Sequence, residues 1–301
     1  MNRISLITTL FLLTLIYALC FTAIKSGLPF IPPVLFGALR AFFGGIVLLI
    51  FLAAIKQRIM PRSYEYRWII AIGLIATTVV YGGMFLSPGR TGAGIASVLG
   101  NLSPLFAVVL AAAVLHEKVS TYTKIAVGMG MLGVLLISFP DLFIGGFVGI
   151  AGPLLALAAS LGAAAGNVLV KKMDNEGSIL VVTAWQLVVG SLPLFLLSLL
   201  FEQGRPVVWN ETSLGLLFFM AVIGTALTTA VWFWLIQRHD VGKLSLSLFL
   251  IPVFGLLIAA AVFKEKIHIN EILGIASILF GTALLAMDTY KLHATPLLKT
   301  T

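Results

Sequence analysis

Cysteine is all but missing from this chain of 301 residues, where Cys20 stands alone. One thiol excludes an internal disulfide framework and any CxxC zinc or redox site, so Cys20 reads as a packing residue. Charge is scarce too, at 10% of residues, and lopsided, with 11 acidic against 19 basic side chains. So little polar surface cannot cover a soluble globule in which 60% of the residues are hydrophobic. The net charge of +8 does not mark a nucleic-acid binder, because Lys and Arg lie mainly in short gaps between apolar runs and form no basic face interleaved with aromatics. Catalytic spellings such as HExxH, GxSxG or a buried Asp pair are absent, and His116, His239, His268 and His293 all lie outside the centres of the apolar runs. No enzyme activity, cofactor or metal site is expected.

What the chain has in abundance is apolar runs of membrane-crossing length, bounded by charges or Gly/Pro clusters. They fall at about 4–25, 33–55, 68–87, 92–115, 122–139, 148–170, 179–200, 213–236, 242–263 and 270–288. The first could pass for a signal peptide, but no small-x-small cleavage site follows, and it reads as a retained span. The longest gap, Phe201 to Thr212, leaves no room for a folded insert, so any work is done inside the bundle. The expected class is an all-α polytopic membrane protein with ten transmembrane helices.

Basic residues are retained on the cytoplasmic side. One set of alternate ends holds Arg3, Lys56, Arg58, Arg62, Arg67, Lys118, Lys124, Lys171, Lys172, Arg238, Lys243, Lys291 and Lys299; the other holds Lys25, Arg90, Arg205, Lys264 and Lys266. This places both termini in the cytoplasm. Residues 84–135, shifted by 148 positions, align without a gap to 232–283 with fourteen identities. Pro104 meets Pro252, Ala111-Ala112-Ala113-Val114 meets Ala259-Ala260-Ala261-Val262, Glu117-Lys118 meets Glu265-Lys266, and Gly133 meets Gly281. A weaker match at a shift of 146 pairs Lys25 with Lys171 and Gly44 with Gly190. The chain therefore reads as a duplicated five-span unit: a first half over 1–146, a second over 147–290 and a cytoplasmic tail over 291–301. Because five is odd, the second copy must enter the membrane from the opposite side, giving two inverted five-helix repeats able to alternate access around a midplane site. The same inversion explains why Lys264 and Lys266 break the charge rule.

The segments Pro104–Gly133 and Pro252–Gly281, each a proline followed by an apolar helix, a Glu-Lys turn and a glycine-punctuated span, resemble the EamA-type branch of the drug/metabolite transporter superfamily. Lys25 and Arg40 fit the same pattern, and the resemblance covers nearly the whole chain. It implies export or exchange of a small polar metabolite, an amino acid or related solute, across a bacterial inner membrane. It names a class and not a ligand.

Polar and aromatic groups within spans turn toward a cavity or a partner helix. Thr225, Thr229 and Trp232 lie at i, i+4 and i+7 on one helical face, and Thr77 and Tyr81 are the repeat equivalents of the two threonines. These hydroxyls either line a pathway or bond their own helix carbonyls. Asn101, Asn167 and Gln186 must find partners, as interhelical glue or as substrate contacts. Tyr17 joins the candidates for the central cavity. Arg40, inside the second run, either snorkels to the outer headgroups or pairs with a neighbouring helix, or it attracts a substrate carboxylate. Pro104 and Pro252 are static kinks or hinges. Glu117, Glu265, Glu271, Asp141 and Asp288 all sit near run ends, which favours facilitated diffusion or exchange over a dedicated ion-coupled pump. The competing substrate is a cation such as a quaternary amine, caged by Tyr17, Tyr81, Trp185 and Trp232; a channel would want a polar ring that the scattered hydroxyls do not supply. Gly128-Met129-Gly130-Met131-Leu132-Gly133 spells GxGxxG without a preceding strand and reads as close helix packing. Asn210-Glu211-Thr212 is a glycosylation sequon that matters only in a secretory-pathway host. The expected partners are a small-molecule substrate and lipid, with the chain a monomer or weak homodimer.

Overall fold

With no water in hydrocarbon to take up N–H and C=O groups, apolar runs of this length satisfy their backbones within helices. In the computed structural model, which describes residues 3–87, 99–144, 150–173, 178–263 and 268–293, they do so throughout, and no strand occurs among the described residues. Six helices are long and apolar enough to cross a bilayer: α1 (Arg3–Gly27), α2 (Pro33–Ala54), α3 (Ser63–Leu86), α6 (Ala151–Lys172), α7 (Ile179–Phe201) and α8 (Glu211–Arg238). Four further apolar helices complete the bundle: α4 (Ser103–Leu115), α5 (Thr121–Ile144), α9, which starts at Val241–Ser245, tightens to a 3-10 turn over Leu246–Phe249 and continues as Leu250–Phe263, and α10 (Ile269–His293). Arg90, Lys264, Glu265, Lys266, Lys299 and the 146/147 boundary lie outside the described residues.

Hydrogen bonds between loops sort the helix ends onto two faces. On one, the Glu65 carboxylate at the start of α3 accepts from Ser178 N at the start of α7 (2.9 Å) and pairs with Arg58 at 2.6 Å. On the same face the Glu117 carboxylate after α4 accepts from Val241 N (2.7 Å) and Gly242 N (3.0 Å), and Lys171 Nζ donates to the carbonyls of Gln237 (3.2 Å) and His239 (3.1 Å). On the other, Glu202 at the end of α7 accepts from Val34 N (2.8 Å) and Leu35 N (2.9 Å) at the start of α2, and Val208 N donates to Phe30 O. Each carboxylate meets a helix N-terminus, where unpaired N–H groups and the dipole favour negative charge. Asn210, the sequon residue, caps α8 by accepting from Ser213 N at 2.8 Å.

Packing follows the small residues. α2 lies along α7, α5 along α10, α1 along α9 and α4 along α6, while α3 touches α6 and α7, and α8 touches α1 and α2. Where α5 meets α10, a Cβ on Gly133 would stand 2.6 Å from the Gly274 carbonyl and one on Gly274 would stand 2.7 Å from the Gly133 carbonyl. Ser277 Oγ closes the seam on Met129 O at 2.8 Å. Gly130 makes room for the Phe249 ring, so two of the three GxGxxG glycines serve close packing as the sequence suggests. Large apolar side chains such as Ile50, Leu199 and Phe218 point away from this core, as expected for surfaces solvated by lipid.

The irregular places are informative. The fourth run was expected to be helical over 92–115, yet Asn101 and Leu102 form a turn and the helix restarts at Ser103, so Pro104 sits in the first turn of α4 where its missing N–H costs nothing. Pro252 sits likewise just inside the α-helical part of α9, after its 3-10 turn. Both prolines therefore start helical segments rather than kink the middle of one.

Candidate functional site

Two π-helical segments, which no propensity rule announces, organise the centre: Gly73–Val79 in α3 and Val222–Leu227 in α8. A shift of 148 maps Gly73 onto Ala221 and Thr77 onto Thr225, so the segments occupy repeat-equivalent places. Each faces a glycine of the neighbouring helix. A Cβ on Gly44 of α2 would stand 2.9 Å from Thr225 Cγ2, and one on Gly190 of α7 would stand 2.7 Å from Thr77 Cβ. π turns widen the helix and free backbone groups, and they recur at functional sites.

Arg40 projects from α2 into this centre and is 6% exposed. Its Nε donates to Thr225 Oγ1 at 3.1 Å, and its Nη2 donates to Tyr81 Oη at 3.2 Å and, more weakly, to Gly224 O at 3.5 Å. The guanidinium carbon stands 4.6 Å from the centroid of the Tyr81 ring. The side chain pairs with neighbouring helices instead of snorkelling: it turns inward, where three acceptors meet it. All three are neutral, and Arg40 has no ion pair among the described residues, so its charge is hydrogen-bonded without being neutralised. A shift of 146 maps Arg40 onto Gln186, and Gln186 Oε1 accepts from Thr77 Oγ1 at 2.7 Å, so the Arg40–Thr225 bond has an uncharged counterpart.

These groups wall a cavity of about 240 Å³. Tyr17, Arg40, Thr77, Tyr81, Asn101, Asn167, Gln186, Thr229 and Trp232 all line it, as does Pro104. Thr225 lies one layer behind, as the partner of Arg40, and Pro252 is not among the lining residues. Trp232 Nε1 donates to Asn167 Oδ1 at 3.0 Å, so this amide joins helices and faces the cavity at once. Trp185 is elsewhere: its Nε1 donates to Ile59 O at 2.9 Å and it does not line the cavity, which removes one wall of the aromatic cage. Ser160 was not anticipated. Its hydroxyl donates to the carbonyls of Leu99 and Gly100 at the turn ahead of Pro104, whose nitrogen has no N–H to offer the Gly100 carbonyl. A lone hydroxyl inside the small-residue run of α6 was the only sign of it. Phe21, Met84 and Phe85 add an apolar wall. Phe21 and Met84 are the repeat equivalents of Asn167 and Trp232, so one copy presents carbon where the other presents an amide and an indole.

A cavity with a few polar groups in a largely apolar wall, held inside apolar helices that lipid must solvate, defines an integral membrane protein. The model of the EamA-like transporter family matches residues 4–139 and again 150–287, and the chain belongs to that family. It is similar to the uncharacterized transporter YoaV of Bacillus subtilis, at 29% identity over 89% of this chain and 92% of that one. It is similar also to a probable amino-acid metabolite efflux pump of Escherichia coli, at 23% identity over 90% of this chain and 91% of that one. A solved structure titled only as the crystal structure of a protein shares the fold, with a TM-score of 0.81 at 20% identity, covering 97% of this chain and 99% of that one. The members of this family are transporters rather than enzymes.

Proposed function

We propose that this chain is a bacterial inner-membrane carrier, both termini cytoplasmic, that moves a small carboxylate-bearing metabolite outward or in exchange by alternating access between two inverted five-helix halves of ten spans in all. The observation that carries the substrate reading is the un-neutralised charge of Arg40. Among the described lining residues it is the one ionised side chain, and a buried cation with neutral partners is completed by an anion. The likeness to an amino-acid metabolite efflux pump supports the same class. The cationic alternative loses ground, because Arg40 repels a cation and already covers the Tyr81 ring.

The inverted arrangement is supported by reciprocal packing. The contact of α1 with α9 has its counterpart in α6 with α4, that of α2 with α8 in α7 with α3, and that of α1 with α8 in α6 with α3. Gly133 approaches Gly274, and its equivalent Gly281 approaches Ala126, the equivalent of Gly274. Reciprocity of this kind is what a two-fold axis between copies produces. The lining residues come from both halves, including α1 to α4 of the first and α6 to α9 of the second, as a site between the two copies requires. The Glu117 and Lys171 contacts tie the inner face shut. The described lining holds no Asp or Glu, in keeping with exchange or facilitated passage.

A thermal-shift screen of purified protein against amino acids, amines, nucleosides and sugars tests this reading. A ligand at about 100 times its Kd adds about 2.7 kcal/mol of stability. Carboxylate-bearing solutes should raise the unfolding temperature of the parent and not of Arg40→Ala, which should also lose flux in proteoliposomes at unchanged abundance. Equal shifts in parent and variant remove Arg40 from the site.

A further inference from the structure

We infer that the π segment of α8 couples binding to helix movement: the substrate anion and the Gly224–Thr225 backbone turn compete for the same guanidinium, so loading the cavity releases α8 from α2. The inference rests on the carboxylate reading above and adds to it the residues that transmit the event.

The argument starts from what holds a π turn in place. It inserts an extra residue into the helical ladder and gives up regular i→i−4 bonding, so it persists where tertiary contacts compensate. At Gly224 three donors gather on one carbonyl oxygen: Thr228 Oγ1 at 2.9 Å, Arg40 Nη2 at 3.5 Å and Cys20 Sγ at 3.9 Å. Next door, Thr225 Oγ1 accepts a hydrogen bond from Arg40 Nε. Gly44 lets α2 approach closely enough for these bonds, since a Cβ there would press on Thr225 Cγ2. Thus α1, α2 and α8 meet at one turn of π helix, and the only charge at that junction belongs to the residue that also faces the cavity.

A guanidinium has five N–H donors in a fixed plane and binds a carboxylate best through two parallel bonds. Forming that pair reorients the plane. The bonds to Thr225 Oγ1 and Gly224 O cannot all persist, and an ionised acceptor outbids neutral ones in a water-poor site. The repeat-equivalent junction shows what happens without the charge: Gln186 holds Thr77 of the α3 π segment by a neutral bond that an anion has no reason to break. The two junctions are alike in geometry and unlike in sensitivity, which assigns the ligand-responsive movement to α8 and leaves α3 as the fixed wall. Thr225 is therefore a positioning residue that acts through Arg40.

Cys20, the chain's single thiol, reports on this junction because it is 4% exposed and packed on Gly224. Cys20 also lines the cavity, so an occupant that merely filled the space would slow its alkylation by N-ethylmaleimide in nanodisc-reconstituted protein, and only a rise in rate reads the departure of α8 from α1. Benzoate, a minimal carboxylate, should raise the rate in the parent protein, and benzamide at equal concentration should not. Thr225→Val, which keeps the shape and removes the acceptor, should alkylate at least about tenfold faster without any ligand, the lower end of what losing a hydrogen bond to a charged group gives. Benzoate should then add nothing further. Thr225→Ser, which restores the hydroxyl, should return to the parental rate and so separate loss of the bond from loosened packing. Equal rates for the parent and Thr225→Val overturn the coupling and leave the carrier reading intact. A fast Thr225→Val beside a parent indifferent to benzoate overturns the competition and counts against the carboxylate reading itself.

Discussion

Replacing Glu117 by Gln tests how firmly the face that carries Glu117 and Lys171, the inner one in the proposed orientation, is held. The two carboxylate oxygens accept from Val241 N at 2.7 Å and Gly242 N at 3.0 Å, at the N-terminus of α9. Gln keeps one acceptor and turns an NH2 donor toward the other backbone N–H. Losing one charge-assisted bond costs about 1.5–3 kcal/mol, and losing the negative charge at a helix N-terminus adds about 0.3–1 kcal/mol. Together these come to about 2–4 kcal/mol, or an equilibrium between closed and open inner faces shifted about 30- to 1000-fold. The assay is double electron–electron resonance between spin labels at Lys118→Cys and Asp240→Cys in a Cys20→Ser background. A second, longer distance population should appear with Glu117→Gln. Superimposable distributions with and without the substitution would refute the idea that this contact closes the inner face.

Alanine at Gly190 would collide with the Gly73 carbonyl and the Thr77 side chain, an overpacking worth about 1–3 kcal/mol, whereas Gly215→Ala meets nothing within 4 Å and should stabilise α8 by up to about 1 kcal/mol; opposite shifts in unfolding temperature check both. Arg40→Gln should abolish flux, and adding Gln186→Arg should restore a measurable part of it, because the two positions are related by the repeat; a double variant no better than the single one contradicts the equivalence. Burial first, and the Lys171 charge second, hold the His239 imidazole below the ordinary histidine value. Since the folded state resists protonating it, the stability this residue supplies is present above about pH 6.5 and lost as pH falls below it. His239→Gln should flatten that acid limb in a thermal-unfolding series.

Apolar run length and the offset near 148 were legible in the chain because membrane solvation and duplication both write themselves into composition. The cavity residues were legible for a related reason: a threonine, an amide or an arginine inside a hydrocarbon-length run needs an inward partner, and Thr77, Gln186, Asn167 and Arg40 all have one. The π segments were not legible. Gly73–Val79 and Val222–Leu227 are ordinary helix-forming stretches, and what widens them comes from Gly190, Gly44, Gln186 and Arg40, residues distant in sequence. The capping carboxylates Glu65 and Glu202 were hidden by the same distance, since each serves a helix more than a hundred positions away. Arg40 itself could be read two ways because a lone charge in a span does not say whether water or protein lies nearer. Thr225 and Tyr81 decide that question, and only the fold brings them together.

The glycine seam between α5 and α10 implies something about assembly. Gly133 and Gly274 each offer a bare stretch of backbone to the facing helix, and Ser277 finds its acceptor, the Met129 carbonyl, on the opposite helix of the seam. Neither half is self-sufficient along this line. Severed between Ile144 and Ala151 and co-expressed as two polypeptides, the fragments should seek each other out in the bilayer and reconstitute the whole, while either one alone should offer the quality-control machinery an unfinished edge.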